Sequence, residues 1–458
     1  MPDRRVLMAL MFFPRGGSAQ VNRYMARFLP AAGWDVTLVS GSLGGPGELS
    51  NAATFFCGPD VHAVDYTAAS TAPDPLAADP PFHPSYEERA DAPDIVFARV
   101  GEEAYERLVH AWGRALGDAG AADADVLHLN HLTPINEAAE RQFPDVPRVG
   151  HLHGTELLML NRIAQGNPDG WEHAEEWAER MRGWARRCAR LLVLSTDAVE
   201  RVPAILGVEP ERVVWAPNGF DPEGFGRRPV RGEERVAFWR RWLVEEPRGW
   251  DPETQVQGSV RYRESDLEVF RGDSPVFLYV GRYTDVKRIP LMIRAHQRAL
   301  EATGADAPLV ILGGYPGEWE GEHPLDVIRS TGARDVFLAG WRGHDELPDG
   351  LNASDVVVLA SVHEQFGQVL VEGMACGLPA IAVDAHGPAT IIEPGKTGWL
   401  AEPDDEESLA RAMAEAIAEP ERRREMGERA YVVARERYSW PALAERVARV
   451  YDEVVADG

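Results

Sequence analysis

Val356-Val357-Val358-Leu359-Ala360-Ser361-Val362-His363-Glu364-Gln365-Phe366-Gly367-Gln368-Val369-Leu370-Val371-Glu372-Gly373-Met374-Ala375-Cys376-Gly377-Leu378-Pro379-Ala380-Ile381-Ala382-Val383 passes from one apolar run to another through a helical stretch. Val356–Leu359 and Pro379–Val383 read as buried strands, and the residues after Gly367 fall at helical spacing. Strand and helix alternating in this way argue for a parallel, doubly wound sheet. The helix start places the Phe366, Gly367 and Gln368 amides where backbone donors meet an anion. Glycine lets that backbone approach a phosphate closely. Glu364 precedes the helix and Glu372 leaves its second turn, so two carboxylates along one wall can accept hydrogen bonds from sugar hydroxyls.

The same alternation continues on both sides. Upstream, Val276–Val280, Pro308–Leu312 and Val336–Leu338 read as strands with helices between them. The first of these runs into Gly281-Arg282-Tyr283-Thr284-Asp285-Val286-Lys287. Arg282 and Lys287 therefore sit at the carboxyl edge of a sheet, where open α/β folds bind ligands. Two cations on one loop suit a diphosphate, which arginine can grip with two parallel hydrogen bonds. In the first half, Arg5–Met11, Trp34–Ser40, Val126–Leu129, Arg148–His153 and Leu191–Leu194 read as strands, and Ala19–Ala32 as a helix. In a further helix, Glu172–Arg190, the stripe Trp177, Met181, Trp184 and Cys188 reads as core packing.

At 458 residues the chain exceeds the ~250–300 at which a single core stops growing. The expected class is α/β with two Rossmann-like domains. Residues 1–218 form the first, completed by a closing helix within 438–458. Residues 219–271 read as a linker or insertion, and 272–437 form the second domain. The Pro-, Ala- and Asp-rich stretch 41–94 reads as a long loop or insertion.

A net charge of −26 opposes binding to nucleic acid or anionic lipid. No apolar run approaches the ~18 residues of a membrane span. The opening Met1-Pro2-Asp3-Arg4-Arg5 and Val6–Phe13 lead into Pro14, Arg15 and two glycines, which suits a strand and loop better than a signal peptide. Three cysteines, Cys57, Cys188 and Cys376, suggest neither a disulfide framework nor a zinc site. A reducing cytoplasm is expected.

Three further motifs carry chemistry. In Phe12-Phe13-Pro14-Arg15-Gly16-Gly17-Ser18 the Gly16 and Gly17 amides can cradle a phosphate, although the G-x-G-x-x-G spacing of a nicotinamide site is absent. In Gly150-His151-Leu152-His153-Gly154 a strand delivers His153 to its carboxyl end, placed to bond a sugar hydroxyl or donate to a leaving phosphate. With His151, His128 and His131 this makes four histidines, better read as core or pocket hydrogen bonding than as metal ligands. Asp123-Ala124-Asp125 precedes a strand, away from the ligand edge, and is not expected to hold a metal.

Taken together, Gly16-Gly17, His153-Gly154, Asn218-Gly219-Phe220-Asp221, Gly281-Arg282 with Lys287, and Glu364 through Glu372 resemble the retaining family-four glycosyltransferases, the group that includes glycogen synthase and sucrose-phosphate synthase. The resemblance spans nearly the whole chain and implies the GT-B fold, two domains facing across a cleft. It implies that Glu364 binds the donor sugar, Glu372 the ribose, and Arg282 and Lys287 the diphosphate. Phe366, Gly367 and Gln368 would contact donor sugar and phosphate, with Gly16-Gly17 closing over the diphosphate and His153 near the reacting carbon. Trp341 and Arg342 fall where the family places the base. Thr390 stands where the family often has a glutamate. The implied activity is hexosyl transfer from a nucleotide diphosphate sugar, UDP-hexose favoured, to an unidentified hydroxyl acceptor. A front-side, retaining mechanism with no metal or cofactor is implied. A sugar-nucleotide epimerase and a non-catalytic nucleotide-sugar-binding subunit are the alternatives.

Overall fold

The computed structural model of the chain describes residues 4–58, 60–87, 93–364 and 366–457. Met1–Asp3 of the leader reading, residues 59 and 88–92 of the 41–94 stretch, and Gln365 of the quoted motif lie outside the described residues. The chain divides into two compact units, Met1–Asn218 with Trp440–Gly458, and Gly219–Ser439.

The first unit holds seven strands: β1 (Arg4–Leu10), β2 (Trp34–Ser42), β3 (Asp60–Asp65), β4 (Val126–Asn130), β5 (Arg148–His151), β6 (Arg190–Val193) and β7 (Val213–Trp215). They form one parallel sheet in the order β3-β2-β1-β4-β5-β6-β7. Val6 of β1 lies opposite Val36 on one side and Val126 on the other. The central strands are apolar on both faces because helices cover both. Trp112, Trp177, Met181 and Trp184 pack on one face; Met8, Trp34, Val447 and Tyr451 pack on the other. The Trp440–Asp457 helix buries Leu443, Val447, Val450, Tyr451 and Val454, and its Trp440 ring stacks on Tyr24 at 5.4 Å.

The 41–94 stretch is more ordered than its composition suggests. It contains β3, whose half-polar sequence Asp-Val-His-Ala-Val-Asp suits an exposed edge strand, and then a buried run with Phe82, His83 and Tyr86.

The second unit holds β8 (Phe277–Gly281), β9 (Leu309–Gly313), β10 (Val336–Gly340), β11 (Val356–Leu359), β12 (Ala380–Val383) and β13 (Gly398–Ala401). They are parallel in the order β10-β9-β8-β11-β12-β13, with Phe277 opposite both Leu309 and Val356. Among the described residues no helix is long and apolar enough to cross a membrane. The cysteines are free thiols, with Cys188 and Cys376 buried.

Residues 219–271, expected as a linker or insertion, are instead part of this second unit. The physical reason is aromatic. Trp239, Trp242, Trp250 and Phe270 are all buried. Trp239 stacks on Phe270 at 5.5 Å, and Phe270 meets Phe337 of β10 at 4.9 Å. Trp250 lies nearly parallel to Tyr283 at 5.9 Å, and its Nε1 donates to the Gly314 carbonyl at 3.0 Å. Charged residues between the tryptophans hide this packing from a reading of composition. Trp250→Ala is expected to destabilise the protein by about 3–5 kcal/mol, read by urea unfolding; a residue in a free linker would change it by less than about 0.5 kcal/mol.

Candidate functional site

In each sheet the winding reverses beside its first strand, and ligands of such folds sit at that reversal. In the second unit the point lies between β8 and β11. The loop after β8 carries Arg282 and Lys287; the turn after β11 carries Glu364. The two motifs meet: Lys287 Nζ donates to Glu364 Oε2, and both side chains are largely shielded from solvent. The Glu364 carbonyl accepts from the Gly387 amide at 3.0 Å, which ties this turn to the one after β12. The Thr390 hydroxyl donates one turn back, to the Gly387 carbonyl at 2.7 Å.

A cavity of about 860 Å³ opens beside these residues, lined by Arg282, Tyr315, Trp319, Trp341 and His344 among others. The Arg282 side chain is exposed, and its carbonyl accepts from the Tyr279 hydroxyl at 2.9 Å. Gly313 shapes the floor. With φ +122°, a Cβ there would stand 2.1 Å from the Gly281 carbonyl oxygen, so only glycine permits the approach of β9 to β8. Trp341 is half exposed and stands edge-on to Tyr315 at 6.3 Å.

Arg342 lines the same cavity. Its guanidinium turns away from solvent to donate to the Trp242 and Glu246 carbonyls at 3.1 and 2.7 Å, and it lies over the Trp242 ring at 4.7 Å. Burial, with Arg248 nearby, pushes its pKa down to about 10. It fastens the 241–246 segment while remaining among the residues that line the cavity.

Glu372 is buried and accepts from His344 Nε2 at 2.9 Å and from Gln368 Nε2 at 3.0 Å. Gln368 Nε2 also reaches the Gly219 carbonyl at 2.6 Å. The helix is Gln368–Ala375, entered through Gly367 with φ 97° and no side-chain cap, so the first amides keep their donor capacity. Phe366 is buried edge-on to Tyr438 at 6.0 Å.

In the first unit the reversal lies between β1 and β4. Gly16 precedes the Gly17–Phe28 helix, and neither glycine would crowd a Cβ. Three strand ends are tied together by amides. Asn22 Nδ2 donates to the Ser18 carbonyl at 2.8 Å. Asn130 Nδ2 donates to Asn22 Oδ1 at 2.7 Å, and His153 Nε2 lies 2.8 Å from Asn130 Oδ1. A carbonyl oxygen only accepts, so His153 Nε2 carries the proton. Burial, aided by His131, His151 and His128, holds the His153 pKa well below the usual range. The neutral ring therefore offers Nδ1 as an acceptor. His128 Nε2 lies 3.1 Å from His151 Nδ1, and His128 Nδ1 bonds the Tyr451 hydroxyl. Asp125 accepts from the Arg5 amide at 2.7 Å, at the amino end of β1.

The family model described as "Glycosyl transferases group 1" matches residues 263–433, and that described as "Glycosyltransferase Family 4" matches 15–223. The chain belongs to these glycosyltransferases. Among relatives of this glycosyltransferase is an alpha-D-kanosaminyltransferase of Streptomyces kanamyceticus, 31% identical over 43% of the chain and 52% of that protein. Another is a D-inositol 3-phosphate glycosyltransferase of Kineococcus radiotolerans, 29% identical over 68% of the chain and 67% of that protein. The chain thus spans about half the length of the first relative and two thirds of the second. Sucrose-phosphate synthase of Thermosynechococcus elongatus shares the fold at a TM-score of 0.64 and 18% identity, over 99% of this chain and 100% of that one. Anabaena HepE in complex with UDP does so at 0.63 and 17%, over 98% and 100%.

Sequence reasoning passed over His344, Tyr315 and Trp319. His344 follows β10 at the ligand edge, a signal that was available. The other two lie in a loop with no periodic pattern.

The buried histidines set a pH response. Burial pushes His151 down to about 3 and holds His128 and His153 well below the usual value. The unfolded chain therefore binds more protons between about pH 6.5 and the folded values. Stability is whole above about 6.5 and is lost as pH falls, by up to ~1.4 kcal/mol per pH unit per histidine. Urea midpoints at pH 7, 6 and 5 are expected to fall in that order, less steeply in His151→Gln.

Proposed function

We propose that this glycosyltransferase moves a hexose from a nucleotide diphosphate sugar, UDP-linked in the first instance, to a hydroxyl acceptor with retention at the anomeric carbon. The observation that carries this reading is the Lys287–Glu364 hydrogen bond. It joins a diphosphate-binding cation and a sugar-binding carboxylate at the ligand edge, next to the cavity that Arg282 and Trp341 line. The family membership supports the transfer, and the UDP complex of Anabaena HepE supports the choice of nucleotide.

The donor lies along the second unit. Trp341 and Tyr315 pack on the base, and Glu372, oriented by His344 and Gln368, accepts from the ribose hydroxyls. Arg282, Lys287 and the amides at the Gly367 helix start hold the diphosphate. Sugar hydroxyls displace Lys287 from Glu364, which frees its ammonium for the phosphates. The bond from the anomeric carbon to the phosphate oxygen breaks through an oxocarbenium-like state, and the acceptor oxygen bonds the same face. The acceptor's proton passes to the departing phosphate oxygen. Fixed cations stabilise the charge that develops there without a metal. His153 accepts a hydrogen bond from a sugar or acceptor hydroxyl. The three free thiols suit a reducing cytoplasm.

UDP is expected to raise the melting temperature equally with and without EDTA, by mass action on the folded state. Arg282→Ala should lower kcat by about 10²–10³-fold. Transfer left intact in the double variant Arg282→Ala, Lys287→Ala would falsify the phosphate assignment.

A further inference from the structure

At the opposite edge of the second unit's sheet, where its strands begin, lies a cavity of about 650 Å³. Its lining includes residues just ahead of three strands: Asp273 before β8, Asp355 before β11 and Pro379 before β12. β11 is four residues long. At ~3.3 Å per residue, roughly 13 Å of strand separates this edge from the turn that carries Glu364.

Six arginines line the cavity: Arg227, Arg231, Arg235, Arg271, Arg423 and Arg424. They come from three stretches of sequence, the last two from the Pro420–Arg437 helix. Among the described lining residues only Asp273, Asp355 and Glu421 carry negative charge. In a chain of net charge −26 this is a local reversal of sign.

The inner arginines are short of counter-charge. Arg235 is buried at 3% exposure. It shares one carboxylate, Asp355, with Arg231, at 3.1 and 3.0 Å. Asp355 also accepts from the Val276 amide at 2.9 Å. Arg423 donates to the Ala416 carbonyl and has the same Asp355 as its main opposite charge. Burial, with Arg231 nearby, holds Arg235 and Arg423 below the usual guanidinium range, although Asp355 works the other way. The outer arginines are paired from outside. Arg227 pairs with Glu428, Arg271 with Glu233 and Glu268, and Arg424 reaches Glu421 at 3.6 Å. Each of these four carboxylates is more than half exposed. Pairs between exposed side chains are weak, and a phosphate oxygen can take the place of such a carboxylate in a charge-assisted, two-bond grip.

We infer that this cavity is a second anion site, separate from the turns after β8 and β11, and that it takes a di- or triphosphate group, free or carried by a small molecule. Six guanidiniums facing three lining carboxylates leave three positive charges unmet. One phosphate brings at most about two negative charges, so two or three linked phosphates match the excess better. The volume lies within the ~300–1,000 Å³ of small-molecule sites. The strongly acidic remainder of the chain repels an extended nucleic acid.

The site does not depend on the glycosyl-transfer reading, and variants separate the two. The full-length protein in EDTA is titrated with inorganic phosphate, pyrophosphate, tripolyphosphate and ATP, using calorimetry and melting temperature, with sulfate at matched ionic strength as control. Tripolyphosphate or pyrophosphate is expected to bind ten-fold or more tightly than phosphate. ATP binding ten-fold tighter than tripolyphosphate would assign the group to a nucleotide, and parity would assign it to the phosphates alone. The double variant Arg231→Gln, Arg424→Gln should weaken binding ten-fold or more, and the matching Arg→Lys pair, which keeps the charge, should recover part of it. Both positions are exposed, and the ligand-free melting temperature checks folding; if it falls, Arg424→Gln alone carries the test. Binding should persist in Arg282→Ala, Lys287→Ala, whose loss of UDP binding reports on the donor edge instead. No binding, equal stabilisation by sulfate, equal binding by wild type and the folded Gln variant, or loss only in Arg282→Ala, Lys287→Ala would each overturn the inference.

Discussion

Every strand of each sheet runs in the same direction, and this constraint governs the chemistry. Parallel strands release all their strand-to-helix turns at one edge, so residues distant in sequence reach the same place without any special loop. Lys287 and Glu364 meet because β8 and β11 are neighbours. Asn22, Asn130 and His153 form one chain of hydrogen bonds because they lie in the helix after β1, at the end of β4 and just after β5. The order reverses beside β1 and beside β8, and adjacent turns then splay to opposite faces and leave room between them.

Electrostatics is handled locally, against the trend of an acidic chain. With a net charge of −26, the diphosphate of the proposed donor would have to be met by cations held inside the ligand edge. Lys287 is neutralised by Glu364 until something competes for either partner. Arg342, two residues past a strand end, instead donates to backbone carbonyls. A cation in the turn after a strand can bond a carboxylate or backbone carbonyls, and the neighbour decides which.

Much of this was legible in the sequence. Strands buried on both faces are continuous apolar runs, and turns with glycine beside a charge mark the ligand edge; hence the doubly wound class could be read, as could the places of Arg282, Lys287 and Glu364 in the turns after their strands. Edge strands β3 and β7 escaped because one is half polar and the other has three residues. The 219–271 stretch misled because its tryptophans are separated by charged residues, so composition outweighed a packing pattern with no regular period. The bonding of Arg342 was illegible for a deeper reason, since its partners, the carbonyls of 242 and 246, lie about a hundred residues away in sequence.

The Trp440–Asp457 helix has a temporal side. It gives Trp440, Val447 and Tyr451 to the first unit's core and a hydroxyl to His128, yet it is made only after Gly219–Ser439 has been synthesised. At ~5–20 residues per second that interval is roughly ten seconds or longer. On the ribosome the sheet that is begun first receives its closing helix last, with the part of one apolar face that Trp440, Val447 and Tyr451 cover left open while a whole second unit emerges.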